Sequence, residues 1–214
     1  MTWEILNVIG TMAFAISGAI VALDEKYDLF GVYLLGFTTA FGGGLIRHVV
    51  LGLPVAEVWE QSMLFFIAFI TLSILFFVPF HWFMNGWHRW GAFFDSIGLA
   101  AFAVQGATFA VAAGFPLSAT IVAAVLTGTG GGMIRDLLAG RKPLVLHKEI
   151  YAMWAVLGAL AIGLGIASST FELLALVVLI ILLRMLSVLY NWRLPSRSDW
   201  LWQLRKIGDW LKKS

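Results

Sequence analysis

The sequence predicts an all-α membrane protein of seven transmembrane helices, built as two inverted three-helix repeats plus a seventh helix. Three observations predict it. Of the 214 residues, 61% are hydrophobic and 12% charged, with a mean hydropathy of +0.92, whereas a soluble domain carries about 25% charged residues. Seven apolar runs, most of them near the ~20 residues that a membrane span requires, fill the chain. Finally, the chain resembles itself at a shift of 88 residues. Such apolar content excludes disorder, and the absence of cysteine excludes disulfides, thiolate nucleophiles and cysteine-ligated metals. The loops are too short for a soluble catalytic domain, so an enzyme is not expected.

The expected spans are about 3–23, 30–51, 57–79, 93–113, 117–139, 149–167 and 171–190. No ten-residue stretches of alternating polarity suggest a barrel. The first span reads as an uncleaved helix, because Met1-Thr2-Trp3-Glu4 is acidic where a secretory signal begins with positive charge. Trp3, Trp59, Trp82, Trp87, Trp90, Trp154 and Trp192 fall at or near span ends, as an interfacial aromatic belt does. Of the 14 Lys and Arg residues, 11 fall in loops on the C-terminal side or in the tail. The other three, Arg47, Arg135 and Arg184, lie within spans. The positive-inside rule then puts the protein in the cell membrane with its N-terminus outside and its C-terminus cytoplasmic. Residues 198–214 read as an amphipathic tail on anionic lipid, with Trp200, Leu204, Ile207 and Leu211 on one flank and Arg205, Lys206, Lys212 and Lys213 mostly on the other.

Under the 88-residue shift, residues 7–52 lie over 95–140 and sixteen of the 46 pairs are identical. They include Phe14/Phe102, Gly18/Gly106, Thr39/Thr127, Gly42-Gly43-Gly44 over Gly130-Gly131-Gly132, Ile46/Ile134, Arg47/Arg135 and Gly52/Gly140. A unit of three spans is odd in number, so the second copy enters the membrane from the opposite face. The expected division is residues 1–79 for the first repeat, 93–167 for the inverted second, 171–190 for the seventh helix and 198–214 for the tail. Inverted repeats are the usual architecture of transporters and some channels, with the functional site near the midplane.

The two glycine triplets fall near the middle of the second and fifth spans. Each glycine costs roughly 1 kcal/mol in a helix relative to alanine, so two symmetric triplets favour a kink or unwound turn beside a permeation path, where freed backbone groups face a cavity. The competing reading is close packing through small residues. Arg47 and Arg135 follow the triplets by three residues, and an arginine deep in a span normally faces a cavity or a partner. Asp95 is the expected partner of Arg135 and Asn7 is its repeat counterpart. Asp136, one residue further on, points about 100° away and is not expected to pair with it. Arg184 reads as a snorkelling anchor. Ser17, Gln105, Thr38, Thr39, Thr127 and Thr129 are polar candidates for the pore lining, or else bond the preceding turn of their own helices. The four histidines show no ligand spacing, and no phosphate-binding loop is present. No metal, cofactor or nucleic-acid partner is expected.

Gly42-Gly43-Gly44-Leu45-Ile46-Arg47, Gly130-Gly131-Gly132-Met133-Ile134-Arg135-Asp136 and Gly140-Arg141-Lys142-Pro143 resemble the paired signature of the bacterial branch of the trimeric intracellular cation (TRIC) channel family, also described as glycine-transporter-like. The resemblance covers nearly the whole chain except the tail. It implies a symmetric homotrimer with a pore through each protomer, bent at the two triplets and conducting monovalent cations, chiefly potassium. On the family pattern Arg47 and Arg135 lie near the path, where they repel cations unless Asp95 or Asp136 compensates or arginine movement serves as a gate. The alternative is a secondary transporter of a small amino acid such as glycine, in which Arg135 or a half-helix N-terminus holds the substrate carboxylate.

Overall fold

The computed structural model describes residues 2–78, 87–147 and 150–192; the 198–214 tail expected from the sequence lies outside them. Among the described residues the chain is all-helical: α1 Thr2–Asp24, α2 Leu29–Leu51, α3 Ala56–Trp59, α4 Ser62–Phe77, α5 Trp87–Ala112, α6 Leu117–Leu138, α7 Leu144–His147, α8 Tyr151–Gly163 and α9 Thr170–Leu189. The helices α1, α2, α5, α6 and α9 are long and apolar enough to cross a membrane, while α4 and α8 are shorter apolar helices.

Local chemistry sets the helix ends. The Asp28 carboxylate accepts from the Gly31 N–H at 2.8 Å and starts α2. Gly52 and Gly140 follow α2 and α6 with φ of +66° and +68°, a left-handed cap that glycine adopts without strain. Ser169 and Glu172 form a reciprocal capping box at the start of α9.

The third and sixth spans differ from expectation. Residues 57–79 divide into α3 and α4, because Gln61 leaves helical geometry (φ −79°, ψ +49°) and the Ser62 N–H turns back to the Glu60 carbonyl. The sixth span contracts to the 13 residues of α8, ended by a turn through Gly165 at φ +74°. The two one-turn helices, Ala56–Trp59 and Leu144–His147, sit at the same 88-residue offset as the sequence repeat.

The packing repeats that offset. Phe14 and Phe102, repeat counterparts, lie with ring centroids 5.3 Å apart in the middle of the α1–α5 contact. Gly10 sits under Phe102 and Gly98 under Phe14. One apolar cluster joins α1, α2 and α4, a second joins α5, α6, α8 and α9, and Phe102 and Leu6 bind the clusters to each other's helices. At one end Trp3 of α1 meets Phe109 of α5. At the other, Tyr27 donates to the Leu138 carbonyl.

Candidate functional site

Helices α2 and α6 pack antiparallel at their glycine triplets, and both remain helical through them without interruption. The unwound turn expected from the sequence is therefore not found, and no carbonyls are freed there. What requires glycine is proximity. A Cβ on Gly43 would fall well inside van der Waals contact with the Thr127 carbonyl oxygen, and one on Gly131 would do the same to the Thr39 carbonyl oxygen. Gly42 faces the Ile134 side chain and Gly130 faces Ile46, again reciprocally. The cost of glycine in a helix is offset by close approach of two backbones. By contrast, a Cβ on Gly44 would meet nothing within 4 Å.

The candidate threonines sit at this crossing. Thr39 donates to the Leu35 carbonyl at 2.6 Å, back along its own helix, as Thr38 does to Leu34 and Thr129 to Val125. Thr127 is fully buried, and its hydroxyl has no hydrogen-bond partner among the described residues.

One turn past the second triplet, Arg135 is 2% exposed and is the hub of a polar cluster. Its Nη1 donates to Asp95 Oδ1 of α5 at 2.7 Å and to the Ser17 hydroxyl of α1. The expected Asp95–Arg135 pair is thus present. The expected separation of Arg135 from Asp136 is overturned: Nε and Nη2 approach Asp136 Oδ1 at 2.9 and 2.8 Å. The 100° rule describes where side chains leave the helix, whereas the long arginine stem curls back to its neighbour. The other Asp136 oxygen accepts from the Leu144 N–H of α7 at 3.0 Å, fixing the carboxylate. Tyr151 of α8 is buried beside Asp95, and the Arg184 guanidinium of α9 lies 4.6 Å from the Tyr151 ring centroid. Arg184 is only 1% exposed, which corrects its reading as a snorkelling anchor. It shares the buried face of α9 with Leu173, Val177, Ile180 and Ser187.

Arg47, the repeat counterpart, occupies the corresponding place toward the other end. It too is 2% exposed, and its Nη1 donates to Gln105 Oε1 of α5 at 3.1 Å. Because Gln105 is the counterpart of Ser17, each arginine reaches across to the first helix of the other half. Here the likeness ends. No carboxylate lies within ion-pair distance of Arg47 among the described residues. Its guanidinium instead rests against the edge-to-face pair of Trp3 and Phe109 rings, 4.8 and 4.6 Å from their centroids. Such cation–π contacts favour a partly desolvated guanidinium. Glu57, 53% exposed, is turned to His48 at 3.6 Å.

The structure therefore unites the predicted residues in three groups: the triplets with Thr39 and Thr127; Arg135 with Asp95, Asp136 and Ser17; and Arg47 with Gln105. Sequence reasoning missed Trp3 and Phe109 as a cradle for Arg47, and Tyr151 and Arg184 as an extension of the Arg135 cluster. It also missed a half-exposed latch in which Arg141, after α6, pairs with Asp24 and Glu25, after α1. Partial burial works against the Arg141 charge, but its hydrogen bonds to Asp24 and Glu25 outweigh this and hold its pKa above the ordinary value.

Against known proteins, the family model described as Glycine transporter matches residues 4–80 and 92–166, two stretches whose starts are 88 residues apart. The membrane protein YvgT of Bacillus subtilis (strain 168) is 57% identical over 198 residues, 92% of this chain and 98% of that protein. The chain belongs to this family. The inner membrane protein YadS of Escherichia coli (strain K12) is 32% identical over 197 residues, covering 89% of this chain and 94% of that one. Among solved structures, a prokaryotic TRIC channel crystallised in 0.5 M KCl superposes with a TM-score of 0.80 at 35% identity, covering 90% of this chain and 98% of that one. The TRIC trimeric intracellular cation channel orthologue from Rhodobacter sphaeroides gives 0.77 at 33%, covering 88% and 97%. The protein is thus a multi-pass membrane protein with the TRIC fold, and its structural neighbours are ion channels rather than enzymes.

Proposed function

We propose that this TRIC-family protein is a monovalent cation channel of the potassium type, assembled as a homotrimer in the cell membrane. Each protomer would carry its own pore, with the N-terminus outside and the C-terminus cytoplasmic. The observation that carries the reading is the likeness to a prokaryotic TRIC channel over nine-tenths of the chain at 35% identity. Residues 1–79 and 93–167 act as inverted three-helix repeats and 171–190 as the seventh helix, a division supported by the reciprocal contacts at the 88-residue offset.

The path we assign runs past the α2–α6 crossing, between Arg47 on one side and the Arg135 cluster on the other. The backbones touch at Gly43 and Gly131, so conduction requires α2 and α6 to bend or part there. The Asp95 and Asp136 carboxylates offset Arg135 and its neighbour Arg184, leaving that half near neutral, while Arg47 acts as the positive barrier of the other half. The family description keeps transport of a small amino acid as the second reading. Arg135 is a poorer carboxylate clamp for it than a half-helix N-terminus, because its Nε and Nη1 donors are committed to Asp95, Asp136 and Ser17.

Potassium efflux from liposomes holding the purified protein, with no organic solute present, tests the channel. Rapid efflux that collapses when bulky residues replace Gly42–Gly44 is the expected result. Liposomes no leakier than empty ones, with folding and orientation verified, would overturn it.

A further inference from the structure

Helices α2 and α6, which must part for conduction, are tied together a second time at one end of the molecule. Helix α6 finishes in a glycine cap, in which the Gly140 N–H returns to the Leu137 carbonyl and the Arg141 N–H to the Asp136 carbonyl at 2.8 Å. From that cap the Arg141 side chain crosses to the corner between α1 and α2. There its Nε donates to Glu25 Oε1 at 2.6 Å and its Nη2 donates to Asp24. Two residues on, Tyr27 donates to the Leu138 carbonyl at 3.3 Å, and Asp28 then caps the start of α2. The corner that feeds α2 is thereby fastened to the end of α6 by three hydrogen bonds, two of them ion pairs.

Two features make this fastening releasable. The side chains of Arg141, Asp24 and Glu25 are between 33 and 36% exposed, so water and dissolved salt compete for the pairs. The corner is also strained: Lys26 holds φ at +58°, where its repeat counterpart is Gly114 at +75°, and a left-handed backbone disfavours any residue with a Cβ. The opposite end of the molecule has no equivalent. At the 88-residue offset the counterparts of Asp24, Glu25 and Arg141 are Ala112, Ala113 and Leu53, and these cannot form an ion pair.

We propose that the latch of Arg141 with Asp24 and Glu25 is a gate sensitive to ionic strength, shut while the pairs are made and released when they break. The inference rests on the channel reading and names what regulates the parting of α2 and α6. The glycine crossing is symmetric between the halves, whereas the gate belongs to one end alone.

The chain has no cysteine, so a pair introduced at the latch reacts alone. Potassium efflux from liposomes holding full-length Glu25→Cys/Arg141→Cys should fall at least ~10-fold when a short bis-methanethiosulfonate bridges the pair, and return on reduction. Each single-cysteine variant given the same reagent should keep its efflux. Arg141→Gln should raise efflux roughly twofold to tenfold over the parent at low ionic strength. The parent should climb to the same level as impermeant salt is added at a fixed potassium gradient, a readout that needs no substitution to fold. A bridged pair that still conducts, Arg141→Gln no leakier than the parent, or parent efflux indifferent to salt would overturn the gate and leave the channel standing. No efflux from any of these proteins would overturn both.

Discussion

Arg47 and Arg135 hold the same position in the two halves of the chain, at the same depth of burial, and each reaches a polar side chain on the first helix of the other half. Their surroundings nevertheless differ in kind. Arg135 is held by two carboxylates whose repeat counterparts are Asn7 and His48, and Arg47 rests against two aromatic rings whose repeat counterparts are Gly91 and Val21. The backbone symmetry is held by close glycine contacts, in which a Cβ on Gly43 or Gly131 would strike a carbonyl of the facing helix. The charge symmetry is not held, because a buried guanidinium can be satisfied by acids or by π-faces and neutral donors. A polarity along the membrane normal results.

The sharpest way to break this comparison is to remove each guanidinium in turn. Arg135→Met strands Asp95 and Asp136 in the core and should cost about 3–5 kcal/mol of stability. Arg47→Met leaves no buried acid behind, only the Gln105 amide, and should cost about 1–3 kcal/mol. Thermal denaturation in detergent reads both, and equal losses would mean that the two sites are alike after all.

Next come the glycines, where the halves should behave identically. Gly43→Ala and Gly131→Ala each drive a methyl into a carbonyl of the facing helix, for a loss of about 1–3 kcal/mol. Gly44→Ala meets open space and should gain up to about 1 kcal/mol from helix propensity. A clear difference between Gly43→Ala and Gly131→Ala would show that the crossing is less symmetric than its contacts.

A smaller effect sharpens the contrast from the other side. Asn7 and Arg47 line the same small cavity, so Asn7→Asp brings to the Arg47 site the acid that Asp95 gives to Arg135. It should stabilise by ~1 kcal/mol at neutral pH. The gain needs the ionised carboxylate, so it is lost when acid protonates that group. Unchanged stability at pH 7 would place Asn7 outside the influence of Arg47. The smallest effect belongs to the exposed latch: Arg141→Ala should cost about 0.2–1 kcal/mol and less in high salt, whereas the buried Arg135 cluster should be nearly indifferent to salt.

Much of this was legible in the sequence, and the limits have physical reasons. The 88-residue identity singled out Phe14, Phe102 and the two triplets as repeat counterparts, but their contact at the centre was not read from it; the Asp95–Arg135 pair followed from two charges too costly to bury apart. The continuity of α2 and α6 was not legible, because glycine propensity measured in water overstates the case for a break. In hydrocarbon the helix is what satisfies the backbone, and the facing helix supplies the packing. The pairing of Arg135 with Asp136 was missed because helical periodicity constrains Cβ directions, not the reach of an arginine. The burial of Arg184 was readable in part: with Ser187 it marks one polar stripe on an otherwise apolar helix, at the spacing of Leu173, Val177 and Ile180. Nothing in the sequence distinguished Trp3 as a cover for Arg47 from the tryptophans of an interfacial belt.

The shortness of α4 and α8 has a consequence for the lipid around them. At 1.5 Å per residue, their 16 and 13 residues extend only about 24 and 20 Å, against a hydrocarbon core of about 30 Å. The one-turn helices α3 and α7 precede them in the chain. Were α4 and α8 to cross the bilayer as spans, the mismatch would cost fractions of a kcal/mol for each ångström, and the stability of the fold would then depend on acyl-chain length.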